Sequence, residues 1–301
     1  MPEFDVISIG SAVLDVLLKS SAFAVTPVHE QLMMCEIYGG KMDVEEALMV
    51  SGGAATNTAV SFQRQGLRTA CMAKIGMDIP AQIIWDDLGK EHVDVAHMIQ
   101  DPSVKTGISA VLVASDGARS ALTFRGGAHS LMSPELNWKA LEQTRAIHLS
   151  SIGSSSLIRE VMVFAKEHHI FLSWNPSKAE AEELFLQSHD ELLIPDISCM
   201  NDLEWEAIKP VQEKLIAACK RLIVTRGKEG GTIYLDGVMS TFAPGKPTTV
   251  VDETGAGDAF VAGVTGAHLR GLAFGDAVSF GVANATGVVE HMGAKAGLLM
   301  A

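Results

Sequence analysis

The chain has 301 residues and 48% of them are apolar, which suits one large α/β domain with a substantial core. The formal net charge of −13 argues against nucleic acid or an anionic membrane as the main partner, because binding a phosphate-rich surface needs a basic protein surface. Four widely spaced cysteines without a Cys-x-x-Cys pair indicate reduced thiols and a cytoplasmic protein, and no apolar run approaches the ~20 residues of a membrane span.

Short apolar runs alternate with segments of helical periodicity along most of the chain. The predicted strands are residues 4–9, 68–75, 146–150, 170–174, 196–200, 222–225, 233–235 and 238–242. The predicted helices include residues 54–65, 81–88, 156–168, 257–270 and 275–291. This alternation predicts an α/β fold with a mainly parallel central sheet that is covered by helices on both faces.

Two regions depart from that alternation. Residues 107–114 and 120–124 are strand-like runs on either side of Ser115, Asp116 and Gly117, and Asp-Gly is a hairpin signal. Residues 30–50 are also extended in character. We expect these regions to form a small antiparallel sheet inserted into the α/β pattern.

The stretch VDETGAGDAF, residues 251–260, places small residues between Asp252 and Asp258. A strand before it and a helix after it would put Gly255, Ala256 and Gly257 at a helix N-terminus, where free N–H groups and the helix dipole favour an anion. A carboxylate at Asp258 can then accept the proton of an attacking hydroxyl in phosphoryl transfer. An ordinary helix N-cap is the alternative that this stretch alone leaves open.

Two other phosphate-binding motifs are missing from the sequence. There is no G-x-x-x-x-G-K-[ST], and Phe260 occupies the third glycine position of G-x-G-x-x-G. The sequence therefore indicates neither a P-loop nor an ordinary dinucleotide-binding fold, and it disfavours a nicotinamide oxidoreductase.

Four stretches together resemble the ribokinase-like carbohydrate kinases, also called the PfkB family. SGGAATNTAV (51–60) is similar to the family's glycine-pair substrate motif, and VDETGAGDAF is similar to its Asp-x-x-Gly-Ala-Gly-Asp motif. Between them, PDISCMNDLEWEAI resembles the family's strand-to-Asn-x-x-Glu element, and LIVTRGKEGG resembles its Thr-x-Gly-x-x-Gly nucleotide loop. The resemblance covers essentially the whole chain.

The resemblance implies one ribokinase-like kinase domain over residues 1–301, a Rossmann-like three-layer αβα domain with a small β-sheet lid. The lid would be formed by about residues 12–50 and 92–126, inserted into the αβα core. An exposed lid edge and apolar face would be covered if two lids paired, so we also expect a homodimer.

The activity implied is ATP-dependent phosphorylation of a primary hydroxyl of a ribose-like or other free sugar. Asp258 would be the base, and the amides of Gly255, Ala256 and Gly257 would form the anion hole. The substrate-binding residues implied are Asp15, Gly52, Gly53 and Asn57. The nucleotide-binding residues implied are Asn201, Glu204, Thr225, Gly227, Gly230 and Asn284.

The resemblance also implies Mg²⁺ with ATP, and Glu204 would contact this ion through water. Asp252 resembles the position that in many members helps to bind a monovalent cation, usually K⁺, with carbonyls from the loop near Gly293. Many relatives have Thr where this chain has Glu253, which adds a charge beside the anion hole. For Asn201 and Glu204, a helix cap with a solvated Glu is the alternative.

Several functions remain open at this point. A nucleoside kinase is the first alternative to a sugar kinase, followed by a kinase of sugar phosphates or keto-sugar acids. A catalytically silent sugar- or nucleotide-binding sensor is the non-enzymatic alternative, and the presence of both Asp258 and the small residues before it argues against a sensor.

Overall fold

The computed structural model describes residues 2–29, 31–35, 38–115, 119–186 and 192–300. The turn predicted at Asp116 and Gly117 lies outside the described residues. The strands are β1 Val6–Ile9, β2 Val13–Lys19, β3 Ala24–Val28, β4 Gln31–Cys35, β5 Glu46–Gly52, β6 Thr69–Met72, β7 Lys74–Ile75, β8 Ile99–Gln100, β9 Gly107–Val113, β10 Arg119–Phe124, β11 Ala146–Leu149, β12 Phe171–Trp174, β13 Ile197–Asn201, β14 Arg221–Thr225, β15 Gly231–Leu235 and β16 Val238–Phe242. The helices are α1 Ala54–Arg64, α2 Ile79–Lys90, α3 Trp138–Glu142, α4 Ser155–Glu167, α5 Lys178–Leu186, α6 Asp202–Ala207, α7 Gln212–Ala218, α8 Ala256–Leu269 and α9 Phe274–Val289.

The central sheet has the strand order β6-β1-β11-β12-β13-β14-β15-β16. Strands β6 to β14 in this order are parallel, and β15 and β16 continue the sheet as an antiparallel edge. The expected α/β fold with a mainly parallel sheet is therefore confirmed.

Helices cover both faces of this sheet because alternate residues of its strands point to opposite sides. Ile7 and Ile9 of β1 belong to an apolar cluster with residues of α4 and α5. Val6 of the same strand packs instead with Phe62 of α1 and Ala262 of α8. Helices α8 and α9 lie against each other, and α8 also contacts α1.

The segment predicted as one strand over residues 68–75 is interrupted at Ala73. Its first part, β6, is an edge strand of the central sheet, whereas β7 pairs with β8. Because β8 lies within residues 92–126, this part of the predicted lid segment runs beside the core instead of joining the lid sheet.

The lid sheet has the strand order β10-β9-β2-β5, and the expectation that it is antiparallel was wrong for one pair. Strand β2 is antiparallel to β5 but parallel to β9. The chain enters the lid twice, along β2 and along β9, and returns along β5 and β10. The two outgoing strands are neighbours and therefore run in the same direction.

No helix within the described ranges has both the length and the hydropathy needed to cross a bilayer.

Candidate active site

The predicted anion hole lies at the start of α8. This helix begins at Ala256, and its N-cap is Gly255, with φ of 76° and no side-chain cap. A Cβ at Gly255 would collide with the side chain of Ala294, whereas Gly257 faces open space. The Ala256 N–H already donates a long hydrogen bond to the Glu253 carbonyl (3.3 Å). A helix N-terminus with this opening suits an anion.

Asp258 lies inside α8, so it is not the N-cap that the sequence left as an alternative. Its Oδ2 accepts a hydrogen bond from Nδ2 of Asn57 on α1 (2.8 Å). Burial raises the pKa of Asp258, and the Asn57 hydrogen bond with the charges of Lys295 and Arg119 opposes that rise. A carboxylate with a raised pKa that is held by an oriented amide suits a general base.

Asn57 has a second feature that points to a ligand. The residue is 4% exposed, and its Oδ1 has no hydrogen-bond partner among the described residues. A buried acceptor of this kind usually has a partner, so the free Oδ1 marks a place for a donor from a bound molecule.

Asp15 and the glycine pair lie together where the lid meets the core. Asp15 on β2 is opposite Val50 on β5, and a Cβ at Gly52 would overlap the Asp15 carboxylate. Gly53 has φ of 90°, and its Cβ would clash with the Ser11 carbonyl. Gly53 must therefore be glycine for its backbone conformation, and Gly52 must be glycine for the Asp15 carboxylate to keep its position.

Burial also perturbs the carboxyl group of Asp15. Its pKa is raised to about 6, chiefly by burial, with an opposing effect of Lys295 and a further rise caused by Asp258 and Asp252. The structure thus brings together acids that are far apart in the sequence.

Lys295 is a site residue that sequence reasoning missed. It is buried, and its Nζ donates to the carbonyl of Ser51 and to Ser51 Oγ (2.7 Å), with Asp87 at 4.0 Å. Burial lowers the pKa of Lys295 to about 8, while Asp87 and Asp15 oppose the shift. A single lysine in GAKAG has no pattern that distinguishes it from a surface lysine.

A cavity of about 350 Å³ lies beside the anion hole, and this volume suits a small-molecule ligand. Thr225, Gly227 and Gly230, which the sequence assigned to the nucleotide, are in its lining. The small and apolar residues of α9 in the lining are Val282, Ala285, Thr286 and Val289.

Asn284, which the sequence predicted to bind the nucleotide, does not belong to this lining. Its side chain is fully buried, and Nδ2 donates to Ser61 Oγ (3.0 Å) and to the Ala259 carbonyl (2.7 Å). Its Oδ1 accepts from the Leu299 N–H (2.9 Å). The helical period turns Asn284 away from the cavity-facing residues of α9, so it joins α9 to α1, α8 and the C-terminal segment.

Asn201 and Glu204 form the capping arrangement that the sequence left as an alternative. Asn201 is the N-cap of α6 and accepts from the Glu204 N–H (2.9 Å). The Glu204 carboxylate in turn accepts from the backbone N–H and the side-chain amide of Asn201, each at 2.8 Å. Glu204 is half-buried, not solvated, and burial raises its pKa to about 7.

The Asp252 carboxylate links two loops next to the anion hole through hydrogen bonds. Its Oδ1 accepts from the N–H and the hydroxyl of Thr254 (2.9 and 2.6 Å), and its Oδ2 accepts from the Gly293 N–H (2.9 Å). Asp252 is fully buried, and in the described part of the chain no lysine or arginine lies within ion-pair distance of it.

A base at a helix N-terminus, with a nucleotide-sized cavity next to it, is what a kinase of small alcohols requires. The family comparison agrees: the model of the pfkB family carbohydrate kinases matches residues 4–299, so the chain belongs to this family. It is an ATP-dependent phosphotransferase that uses an alcohol as acceptor.

Curated relatives match most of the chain. The chain is 29% identical over 253 residues to a nucleoside kinase of Methanothermobacter thermautotrophicus, covering 81% of this chain and 80% of the relative. It is 27% identical over 289 residues to a ribokinase of Staphylococcus aureus, covering 89% and 93%. Among solved structures, Arabidopsis thaliana ribokinase complexed with ribose and ATP has a TM-score of 0.77 at 20% identity, covering 99% and 96%.

Proposed function

We propose that this kinase transfers the γ-phosphoryl group of ATP to a primary hydroxyl of a free, ribose-like sugar. The observation that carries the proposal is the Asn57–Asp258 pair, because it combines an oriented base with a free acceptor, Asn57 Oδ1. The ribokinase and fructokinases among the relatives support a sugar as acceptor.

The proposed reaction is a direct transfer. The sugar hydroxyl gives its proton to Asp258 as its oxygen bonds to the γ-phosphorus, and the bond from that phosphorus to the bridging oxygen breaks to leave ADP. The N-terminus of α8 faces the charge that develops on the phosphoryl oxygens.

The sugar would be recognised by Asp15 and Asn57, in the region where the lid meets the core. The two oxygens of Asp15 can accept hydrogen bonds from two hydroxyls of a diol, and Asn57 Oδ1 can accept from a third hydroxyl. Without a side chain at Gly52, the Asp15 carboxylate can keep the position from which it would bind the polyol.

ATP would occupy the cavity between β14 and α9, where Thr225, Gly227 and Gly230 contribute to the lining. Mg²⁺ would arrive with the phosphates and neutralise part of their charge. Glu204 fits an interaction with this ion through water, because it is a half-buried carboxylate in the first turn of α6. The N-cap of this helix, Asn201, pairs with Thr225 on the neighbouring strand.

A monovalent cation such as K⁺ fits the loop at Asp252, because this buried carboxylate has only neutral hydrogen-bond donors in the described part of the chain. A bound cation would compensate its charge and stabilise the loop that leads into the anion hole. Activity measured in potassium and in a tetraalkylammonium salt tests this part of the proposal.

A homodimer through the lid is also proposed. The outer face of the lid sheet exposes Met49, Leu122 and Phe124, and β10 is an edge strand. We expect light scattering to give a dimer for the wild type and a monomer for Phe124→Glu. A monomeric wild type at assay concentration would refute this part.

The test of the proposed function is ADP release from Mg-ATP with free sugars, nucleosides and sugar phosphates as acceptors. We expect turnover with a free sugar, and its loss in Asp258→Asn, which keeps the shape of the side chain but cannot take the proton. Turnover with nucleosides alone would support the alternative that the nucleoside kinase relative suggests. Binding of ATP and sugar without turnover would instead indicate a sensor.

A further inference from the structure

An ion pair joins the lid to the loop before the anion hole. Arg119 is the first residue of β10, and its Nη1 lies 3.8 Å from Oε2 of Glu253. Both side chains line the cavity that also includes Ala256 and Gly257. A phosphate bound at the N-terminus of α8 would therefore lie beside this ion pair.

The Arg119 guanidinium is also close enough to affect the reacting groups. Its charge lowers the pKa of Asp258 and of Asp15, in each case against the effect of burial. The lid thus places a cation near the base and at the edge of the nucleotide cavity at the same time.

We propose that Glu253 holds Arg119 in the empty enzyme and that Arg119 moves to the γ-phosphoryl group when ATP binds. This proposal rests on the proposed function and adds a catalytic residue and a partner that keeps it in place. Arg119 takes part in no proton transfer, since the proton of the acceptor goes to Asp258, and its role is to stabilise the phosphoryl charge.

The strength of the two interactions permits this exchange. The side chains of Arg119 and Glu253 are 35% and 59% exposed, and ion pairs so exposed change an equilibrium by about fivefold or less. A guanidinium bound to phosphate makes charge-assisted and often bidentate hydrogen bonds, which are stronger. ATP can therefore displace Glu253 at small cost.

The exchange distinguishes ATP from ADP. Only ATP offers a γ-phosphate at the anion hole, so only ATP draws Arg119 away from Glu253. After transfer, when the phosphorylated product has left, Arg119 returns to Glu253. ADP lacks the γ-phosphate, so its affinity should not depend on the pair.

The test is a double-mutant cycle on nucleotide binding, measured by calorimetry with the Mg²⁺ complexes of a non-hydrolysable ATP analogue and of ADP. We expect Arg119→Ala to weaken analogue binding about tenfold or more and ADP binding less than about twofold. In the wild type, analogue binding must first break the ion pair, which offsets part of the affinity that Arg119 adds. In a Glu253→Gln background there is no ion pair to break, so Arg119→Ala should weaken analogue binding by up to about fivefold more than it does in the wild type.

Catalysis gives a second measurement. We expect kcat of Arg119→Ala to fall by about 10²–10³, as for the loss of one group that stabilises transition-state charge, and Arg119→Lys to recover part of it. The matched control is the lid pair of Lys19 and Glu46, which has the same 3.8 Å separation. Lys19→Ala and Glu46→Gln should leave nucleotide binding unchanged.

Two results would overturn the inference: an Arg119→Ala enzyme within twofold of wild type in analogue affinity and kcat, or additive effects of the Arg119 and Glu253 substitutions. In either case a wild type that binds both nucleotides leaves the proposed function standing. A wild type that binds neither nucleotide would refute the proposed function and the ion-pair exchange together. Unchanged melting temperatures would show that both side chains were removed without unfolding.

Discussion

Replacement of Gly52 by alanine should remove sugar binding while leaving the fold intact. Gly52 has no left-handed backbone conformation, so alanine meets no backbone strain, but its Cβ would overlap the Asp15 carboxylate. Asp15 must then turn away from the position where it would accept two hydroxyl hydrogen bonds. At about 1.5–3 kcal/mol for each hydrogen bond to a charged group, the loss is about 3–6 kcal/mol, or a fall in kcat/KM of about 10²–10⁴.

The assay is ADP release at varied sugar and at varied ATP. We expect kcat/KM for the sugar to fall by that factor, with nucleotide affinity unchanged because the cavity beside α9 is not touched. Gly89→Ala is the matched control, since a Cβ there meets nothing within 4 Å and lies in α2. A Gly52→Ala enzyme within twofold of wild type for the sugar would refute the role assigned to Asp15.

Three further predictions follow from the hydrogen bonds and pKa values of the site. Asn57→Leu removes the hydrogen bond that lowers the pKa of Asp258, so the acidic limb of the pH profile of kcat/KM should move to higher pH. An acidic limb at the same pH as in the wild type would contradict the assignment of Asp258 as the base. The pKa of Asp15 is raised from 3.8 to about 6 in the folded protein, so the unfolded chain loses its proton first and stability falls by about 3 kcal/mol as pH rises from about 4 to 6. In urea unfolding, Asp15→Asn should therefore gain stability over wild type across this window, and a constant difference would show that the shift is wrong. Asn284→Leu leaves the buried hydrogen-bond partners of the amide unsatisfied and should lower the free energy of unfolding by about 2–4 kcal/mol. A large rise in KM for ATP with unchanged stability would instead show that Asn284 binds the nucleotide.

The sequence by itself determined those parts of the site that lie within one turn of chain. Gly255, Ala256, Gly257 and Asp258 are contiguous, so the helix that begins at Ala256 was enough to place N-terminal amides next to a carboxylate. The strand expected before this stretch was wrong, because residues 243–255 form neither a strand nor a helix. The alternation of strands and helices was likewise enough to predict a mainly parallel sheet, because each helix buries its apolar face against the strands that it connects.

Only the tertiary structure decided the contacts between distant segments. Lys295 donates a hydrogen bond to Ser51, 244 residues away in the sequence, and Arg119 of the lid pairs with Glu253 in the loop before α8. Asn284 lies on the inner side of α9, which helical periodicity could not establish in a segment that is small and apolar nearly all round. A side chain's partners across the fold depend on how whole elements pack, and that packing is set by the complete core rather than by any local pattern.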